Sequence, residues 1–244
     1  AKKLFIEIMK VQLETGMPYL SFLDALNRGN PNKHEGTIPC FNLCTESTSV
    51  VVADKYAHTC NLLSVVVGRV AMDKLEYFGG LACHILDNGI ALTNPPIEIS
   101  RAHNERFRTI GIGIQGLHDI VAREHKNFSD YDFLTEVAER IQYGAVKKSV
   151  SLANKRGAYP AFYGSEWHNG NILAQYQIDT VVGYDWAGLQ EKINLYGIRN
   201  SQLTSPAPNT SSSIFMDAAA GIMPVYSAFF YEDNANGMLP VAAM

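Results

Sequence analysis

Asn42-Leu43-Cys44-Thr45-Glu46 sets an amide, a thiol and a carboxylate at alternate positions. In an extended chain alternate side chains share a face, whereas on a helix the middle one would point elsewhere. The triplet therefore makes chemical sense on a strand or at a loop tip. An amide to hold a substrate, a sulfur to react and a carboxylate to move protons are the parts of an active site. The bland alternative is a polar loop with a buried cysteine, and short motifs match by accident. The surroundings of the motif have to decide.

Upstream, Leu4, Phe5, Ile8, Met9 and Leu13 recur at helical spacing, and Thr15-Gly16-Met17-Pro18 closes that helix. Tyr19 to Leu26 is a short apolar segment. Asn27 to Gly36 is polar and rich in Asn and Gly, a loop that feeds Thr37-Ile38-Pro39-Cys40-Phe41 and the motif. Downstream, Ser49 to Val52 is β-branched and predicts a strand. The run after Cys60, Leu62 to Val67, reads as a buried strand or the front of a helix. Helices are predicted over Asp73–Asn88, closed by Gly89, and over Ile110–Val121. Phe133–Lys155, with Leu134, Val137, Ile141, Ala145 and Leu152 on one side and Gly157 as its stop, is the clearest helix. Asp185 caps a shorter one that Gly197 ends. Thr93 to Arg108 reads as a loop and Asn169 to Ile178 as irregular. Met216 to Ala220 reads as a helical turn and Val225 to Tyr231 as a strand. Helices alternating with short apolar segments define an α/β chain without an internal repeat.

The 244 residues are 47% hydrophobic and 18% charged, enough for a sizeable core. A net charge of −4 leaves no basic footprint for nucleic acid, and no apolar run approaches a membrane span. Four cysteines, Cys40, Cys44, Cys60 and Cys83, are too few for a disulfide scaffold and form no Cys-x-x-Cys pair. With no signal peptide visible, reduced thiols and a cytoplasmic location are expected, and the sequons at Asn127 and Asn209 read as accidental. The chain opens without Met directly in a helix pattern and stops after Asn234-Ala235-Asn236-Gly237. A piece of a longer protein, or one product of a split gene, is the expectation.

Two further stretches and the histidines could carry chemistry. Gly111-Ile112-Gly113-Ile114-Gln115-Gly116 fits G-x-G-x-x-G, but the charged residues before it are not the buried strand that a dinucleotide site requires. Close helix packing explains these glycines better. Thr204-Ser205-Pro206-Ala207-Pro208-Asn209-Thr210-Ser211-Ser212-Ser213 offers hydroxyls and free N–H groups at a helix start, which suits a phosphate or a capped turn equally. The seven histidines show no metal-ligand spacing, so no metal is expected. A cysteine hydrolase pairing Cys44 with a distant histidine remains open.

Together these pieces resemble the large, catalytic subunit of ribonucleotide reductase, in order and over nearly the whole chain. Glu14 to Tyr19 with Asp24 to Arg28 resembles the approach to that family's finger loop, and Cys40 to Glu46 its tip. Cys60-Asn61-Leu62 resembles the strand bearing a redox cysteine. Arg108 to Leu117 is similar to a family helix. Tyr196 to Ser201 and Ala207 to Ser213 resemble the approach to the phosphate loop. The resemblance implies the second half of a ten-stranded α/β barrel with helices outside, residues 1–244 forming a single fragment. The finger loop would span about 37–50 and the phosphate loop about 204–215.

The resemblance also implies roles. Cys44 would carry the thiyl radical, Glu46 would be the base and Asn42 a substrate hydrogen bond. Cys60 would be half of the redox dithiol, and Pro208, Asn209, Thr210, Ser211, Ser212 and Ser213 would hold the substrate phosphates. Cys40 and Cys83 receive no role. The substrate would be a ribonucleoside di- or triphosphate, reduced for DNA synthesis. No cofactor would be bound by this chain; the radical would come from a metal-containing small subunit or from adenosylcobalamin. Expected partners are a chain carrying the missing half of the barrel and a thioredoxin-type reductant, without membrane or nucleic acid. The other redox cysteine lies on an earlier strand of the family, so this chain is expected to be inactive alone. A non-catalytic nucleotide-binding piece of the same fold is the rival.

Overall fold

The computed structural model describes residues 1–175, 180–234 and 237–242. Helices α1 (Lys2–Thr15) and α2 (Leu23–Arg28) precede the finger loop. Strand β1 (Leu62–Val66) follows it, then two 3₁₀ turns and helices α3 (Leu75–Leu92) and α4 (Glu98–Phe107). Strand β2 (Gly111–Gln115) leads through α5 (Leu117–Arg123) into the long α6 (Tyr131–Arg156). After α7 (Asn171–Gln175), α8 (Trp186–Tyr196) and α9 (Thr210–Met216), the hairpin of β3 (Phe229–Asn234) and β4 (Gly237–Ala242) closes the described chain.

The organising unit is parallel. β1 pairs with β2 from Leu62↔Gly111 to Val66↔Gln115. On the other side of β2 runs a third parallel segment: Ile112 N donates to Leu203 O at 2.7 Å, and Ser205 N donates to Ile112 O at 3.0 Å. Parallel neighbours need long crossovers, and α3–α4 and α5–α8 supply them. The architecture is therefore α/β, with an open parallel arc among the described residues.

The stretch expected to be a helix, Ile110 to Val121, is a correction: Gly111–Gln115 is β2 and only Leu117–Arg123 is helical. The glycines do answer to close packing, but on a strand. A Cβ on Gly111 would sit 2.5 Å from Leu62 Cδ2 and 2.7 Å from Ser205 Cβ, and one on Gly113 would sit 2.5 Å from Ser64 Oγ. Leaving Cβ off clears that face of the arc for its two flanking segments.

The expected loop over Thr93–Arg108 is also corrected, because it contains α4. The buried residues of α4 are Ser100, His103, Asn104 and Phe107. That is helical spacing carried mostly by polar side chains, so a search for apolar periodicity passes over it. Ser49–Val52 forms no strand and contributes only the isolated bridge Val52↔Tyr56. Gly89 does not end α3, which continues to Leu92. The expected turn over Met216–Ala220 is instead the end of α9, closed by Asp217 at φ 49°. The tip of the expected terminal turn, Ala235 and Asn236, lies outside the described residues, as does the end of the stretch expected to be irregular; α7 fills Asn171–Gln175.

Two devices lock the layers. α3 and α6 cross with their backbones almost touching, because a Cβ on Gly79 would meet Ile141 O at 2.4 Å and one on Gly144 would meet Glu76 O at 1.9 Å. At the other end of α3, the fully buried Asp87 accepts from Arg108 Nε at 2.9 Å and Nη2 at 2.7 Å, and from Arg156 Nη1 at 2.9 Å. One carboxylate thus joins the ends of α3, α4 and α6. By contrast α1 buries no residue: Phe5 and Leu13 of its apolar stripe are 60% and 89% exposed.

Candidate active site

The motif forms a tight turn rather than an extended segment. Thr45 N donates to Asn42 O at 3.0 Å, and Thr45 adopts φ 67°. Asn42 closes the turn twice, its N donating to Ser47 O at 3.1 Å and its Oδ1 accepting from Ser47 N at 3.0 Å. The alternate-face expectation for Asn42, Cys44 and Glu46 is replaced by a loop tip, the other setting in which the triplet makes sense. Cys44 is exposed on it.

The turn docks onto the arc through Glu46, whose carbonyl oxygen accepts from Ser205 Oγ at 2.6 Å. Glu46 lines a cavity of about 120 Å³ together with Thr48, Thr109, Ser201, Gln202 and Thr204. One carboxylate oxygen, Oε2, is buried and has no hydrogen-bond partner. A buried acceptor without a donor is costly, so this oxygen is poised for a donor brought by a ligand.

Cys60 stands just before β1, between two residues pinned to α4. Thr59 Oγ1 donates to Asn104 Oδ1 at 2.6 Å and Asn61 Nδ2 to the same oxygen at 3.1 Å. Although Cys60 reaches solvent, protein packed around its sulfur raises the thiol pKa. The nearby Glu46 and Cys44 charges push the same way, and hydrogen bonding from Ser47 and Asn42 opposes them. Asn42, Cys44, Glu46 and Cys60 are thus brought into one neighbourhood. Cys40 is exposed. Cys83 is buried in the core, where desolvation drives its pKa far up and makes it inert.

In the hydroxyl-rich stretch, Asn209 sits at φ 58° and begins α9. Its amide is spent on structure: Oδ1 accepts from Ser64 Oγ at 3.0 Å and Nδ2 donates to Ala207 O at 3.0 Å. Ser212 Oγ donates to Gln115 Oε1 at 3.1 Å, and the buried Ser213 donates to Thr210 O at 2.7 Å. Pro208, Thr210 and Ser211 are exposed, and the first N–H groups of the helix have no intrahelical acceptor.

Sequence reasoning passed over the histidines beneath the finger loop. His58 Nε2 lies 2.7 Å from Ser47 Oγ and His103 Nε2 lies 2.9 Å from Ser49 Oγ, with the two rings edge-on at 5.2 Å. Burial lowers the pKa of His58 to about 4 and that of His103 to about 3. The available signal was the position of His58 two residues before Cys60. Because His58 bonds Ser47 and is held neutral by burial, the cysteine-hydrolase alternative gains no base for Cys44 from it. Among the described residues no group of three or more His, Cys, Asp or Glu could hold a metal ion, and no helix is long and apolar enough to cross a membrane.

The described structure is thus a parallel α/β arc with a cysteine-bearing loop docked on it and a second cysteine just before its first strand. Comparison with known proteins gives this arrangement its family. A family model described as ribonucleotide reductase, barrel domain, matches residues 1–244. The chain is 43% identical over 247 residues to the ribonucleoside-diphosphate reductase subunit alpha of Synechocystis, covering 99% of this chain and 32% of that protein. It is 34% identical to the large subunit of Vaccinia virus over 253 residues, covering 99% of this chain and 32% of that one. Against the large subunit of Caenorhabditis elegans it is 34% identical over 241 residues, covering 94% and 30%. The chain belongs to the ribonucleotide reductase barrel-domain family, and it spans about a third of the length of the curated relatives it matches.

Proposed function

We propose that this chain is the catalytic segment of a ribonucleotide reductase, carrying the radical cysteine on its finger loop. The observation that carries the reading is the meeting of Cys44, Asn42 and Cys60 with a Glu46 carboxylate whose buried oxygen lacks a donor. A ribose hydroxyl is the kind of donor that oxygen accepts. The names of the relatives, ribonucleoside-diphosphate reductases, support a diphosphate substrate.

In this reading an external source, a metal-bearing small subunit or adenosylcobalamin, supplies the radical. The Cys44 sulfur then takes hydrogen from C3′ of the ribose, a step open to sulfur because an S–H bond is close in strength to that C–H bond. Glu46 takes the 3′-hydroxyl proton, which helps expel the 2′-hydroxyl as water. Asn42 holds the sugar in place. Cys60 and a second thiol deliver two hydrogens and end as a disulfide, and Cys44 returns its hydrogen to C3′. The balance is ribonucleotide plus dithiol giving deoxyribonucleotide, disulfide and water. Within Pro208–Ser213, Thr210, Ser211 and the backbone N–H groups of Asn209–Ser212 receive the phosphates; Pro208 has no N–H and the Ser213 N–H already donates to Asn209 O, so these two contribute shape.

The second thiol belongs, in this reading, to the rest of a ten-stranded barrel of which residues 1–244 form one part. The exposed stripe of α1 and the open edges of the arc support such a neighbour. A thioredoxin-type reductant would regenerate the dithiol, in the cytoplasm. The test is ribonucleotide reduction by the complex recovered with the tagged chain. Cys44→Ser is expected to abolish product, since an O–H bond is too strong for the exchange. Glu46→Ala is expected to slow it by roughly 10²–10⁴-fold. Undiminished reduction by Cys44→Ser would overturn the reading.

A further inference from the structure

We propose that Arg108, Arg156 and Arg199, gathered over the buried Asp87 where α3, α4 and α6 meet, form a site for a phosphate group, free or as an ester.

The geometry holds a charge imbalance. Arg108 Nη2, Arg156 Nη1 and Arg199 Nε lie 2.7, 2.9 and 3.5 Å from oxygens of the Asp87 carboxylate. Among the described residues, every ion pair of these arginines is with Asp87. Three guanidiniums, which stay charged, against one carboxylate leave two positive charges over. The Asp87 oxygen closest to Arg199 Nε is also already taken. That Oδ1 accepts from Arg108 Nε and Nη2 and, at 3.3 Å, from Asn200 Nδ2. Arg199 Nε is buried and makes no hydrogen bond. A buried donor without an acceptor is rare in native structures and costly. Surplus positive charge beside a bare donor calls for an acceptor that carries negative charge.

The adjoining space fits such a group. The three arginines, Asp87 and Asn88 line a cavity of about 360 Å³, together with Ala91 and the exposed Leu92. Cavities of roughly 300–1,000 Å³ take small organic ligands, so there is room for a phosphate ester whose carbon part lies on the apolar pair. Arg156 uses only Nη1 in hydrogen bonds among the described residues, to Asp87 and Asn88. Arg108 likewise uses Nε and Nη2 and leaves Nη1. Planar guanidinium forks of this kind match the oxygens of a phosphate. Helix ends offset part of the charge, because Arg199 Nη1 donates to the carbonyls of Arg156 and Gly157 at the end of α6, at 3.3 and 3.1 Å. That engages one of its three nitrogens. Burial, with repulsion from Arg108 and Arg156, still holds the Arg199 pKa below the ordinary arginine value against the pull of Asp87. No residue of Pro208–Ser213 lines this cavity, so the two anion sites can be separated by mutation.

The test is the thermal midpoint of the full chain at neutral pH in phosphate, in phenyl phosphate and in chloride at equal ionic strength, with affinities from calorimetric titration. A ligand that binds only the folded state stabilises it, so both phosphates should raise the midpoint above that in chloride. Arg156→Gln and Arg199→Gln should each weaken the binding at least about tenfold. Asn88→Asp places a carboxylate where the amide oxygen now accepts from Arg156 Nη1 at 2.8 Å. It supplies a missing negative charge from within, so it should raise the midpoint in chloride and remove the increment from phosphate. Tighter binding of phenyl phosphate than of inorganic phosphate would assign the site to an ester, and equal binding to the free ion. Equal midpoints in phosphate and chloride would overturn the proposal. So would binding left unchanged by Arg156→Gln and Arg199→Gln, which would place the anion elsewhere, or an Asn88→Asp chain that melts lower in chloride. If Arg199→Gln does not fold, Arg156→Gln at the exposed end of α6 and the isosteric Asn88→Asp decide.

Discussion

His58 and His103 sit neutral behind the finger loop, and that has a consequence for stability. The unfolded chain takes up protons on both as pH falls below the ordinary histidine value, about 6.5. The folded chain refuses them until about pH 4 at His58 and about pH 3 at His103, burial being the main cause at each. Between those limits the unfolded state binds more protons, so stability is full above about pH 6.5 and falls as the pH drops. For His58 alone the loss is on the order of 3 kcal/mol by pH 4. Most of this decline comes above the range where the carboxylates of Glu35 and Glu76, whose pKa values are lowered in the fold, begin to protonate. Urea midpoints between pH 7 and pH 5 should show the slope, and His103→Phe should flatten it; a flat parent curve would refute the neutral pair. The Asn42–Glu46 motif was legible in the sequence because its residue types are unusual together. The Ser47–His58 pair was not, since eleven residues separate its members and only the folded loop joins them.

At the scale of elements, glycine decided where sequence reading succeeded and where it failed. Gly16 at φ 74° ends α1 where the sequence placed the stop, and Asp185 caps α8 by accepting from Gly188 N at 2.8 Å. Gly111 and Gly113 misled, because a helix and a strand can both use glycine for close approach and only the neighbouring segments distinguish them. α4 was missed for a different reason: its inner face carries His103 and Asn104, which anchor the site rather than fill the core. Two glycines make the packing testable. Gly144→Ala gains about 1 kcal/mol of helix propensity but drives a Cβ into the Glu76 carbonyl, 1.9 Å away. Overpacking costs of about 1–3 kcal/mol are typical for side chains, and a rigid helix carbonyl yields less, so a net loss of about 2 kcal/mol is expected. Gly89, inside α3 and with nothing within 4 Å of a Cβ, is the control; Gly89→Ala should stabilise by up to about 1 kcal/mol. Urea melts of the two variants would move in opposite directions, and a stabilised Gly144→Ala would contradict the crossing.

At the scale of the molecule, the parallel arc, the crossover helices and the buried Asp87 junction form a framework that holds one loop against one edge. The α/β class was readable from the alternation of helical and apolar segments, and the family from the order of its motifs. The junction was not readable: Asp87, Arg108 and Arg156 are distant charges in a linear chain and meet only after α3, α4 and α6 have packed. The loop so held carries the exposed Cys44, and the central proposal is that its sulfur removes the 3′ hydrogen of a ribonucleotide. The most direct measurement is the rate of reduction of a 3′-deuterated ribonucleotide beside the ordinary one, by the complex recovered with the tagged chain. The account predicts slower turnover of the deuterated substrate with the parent chain and no turnover with Cys44→Ser. Equal rates on the two substrates, together with activity that survives Cys44→Ser, would contradict it.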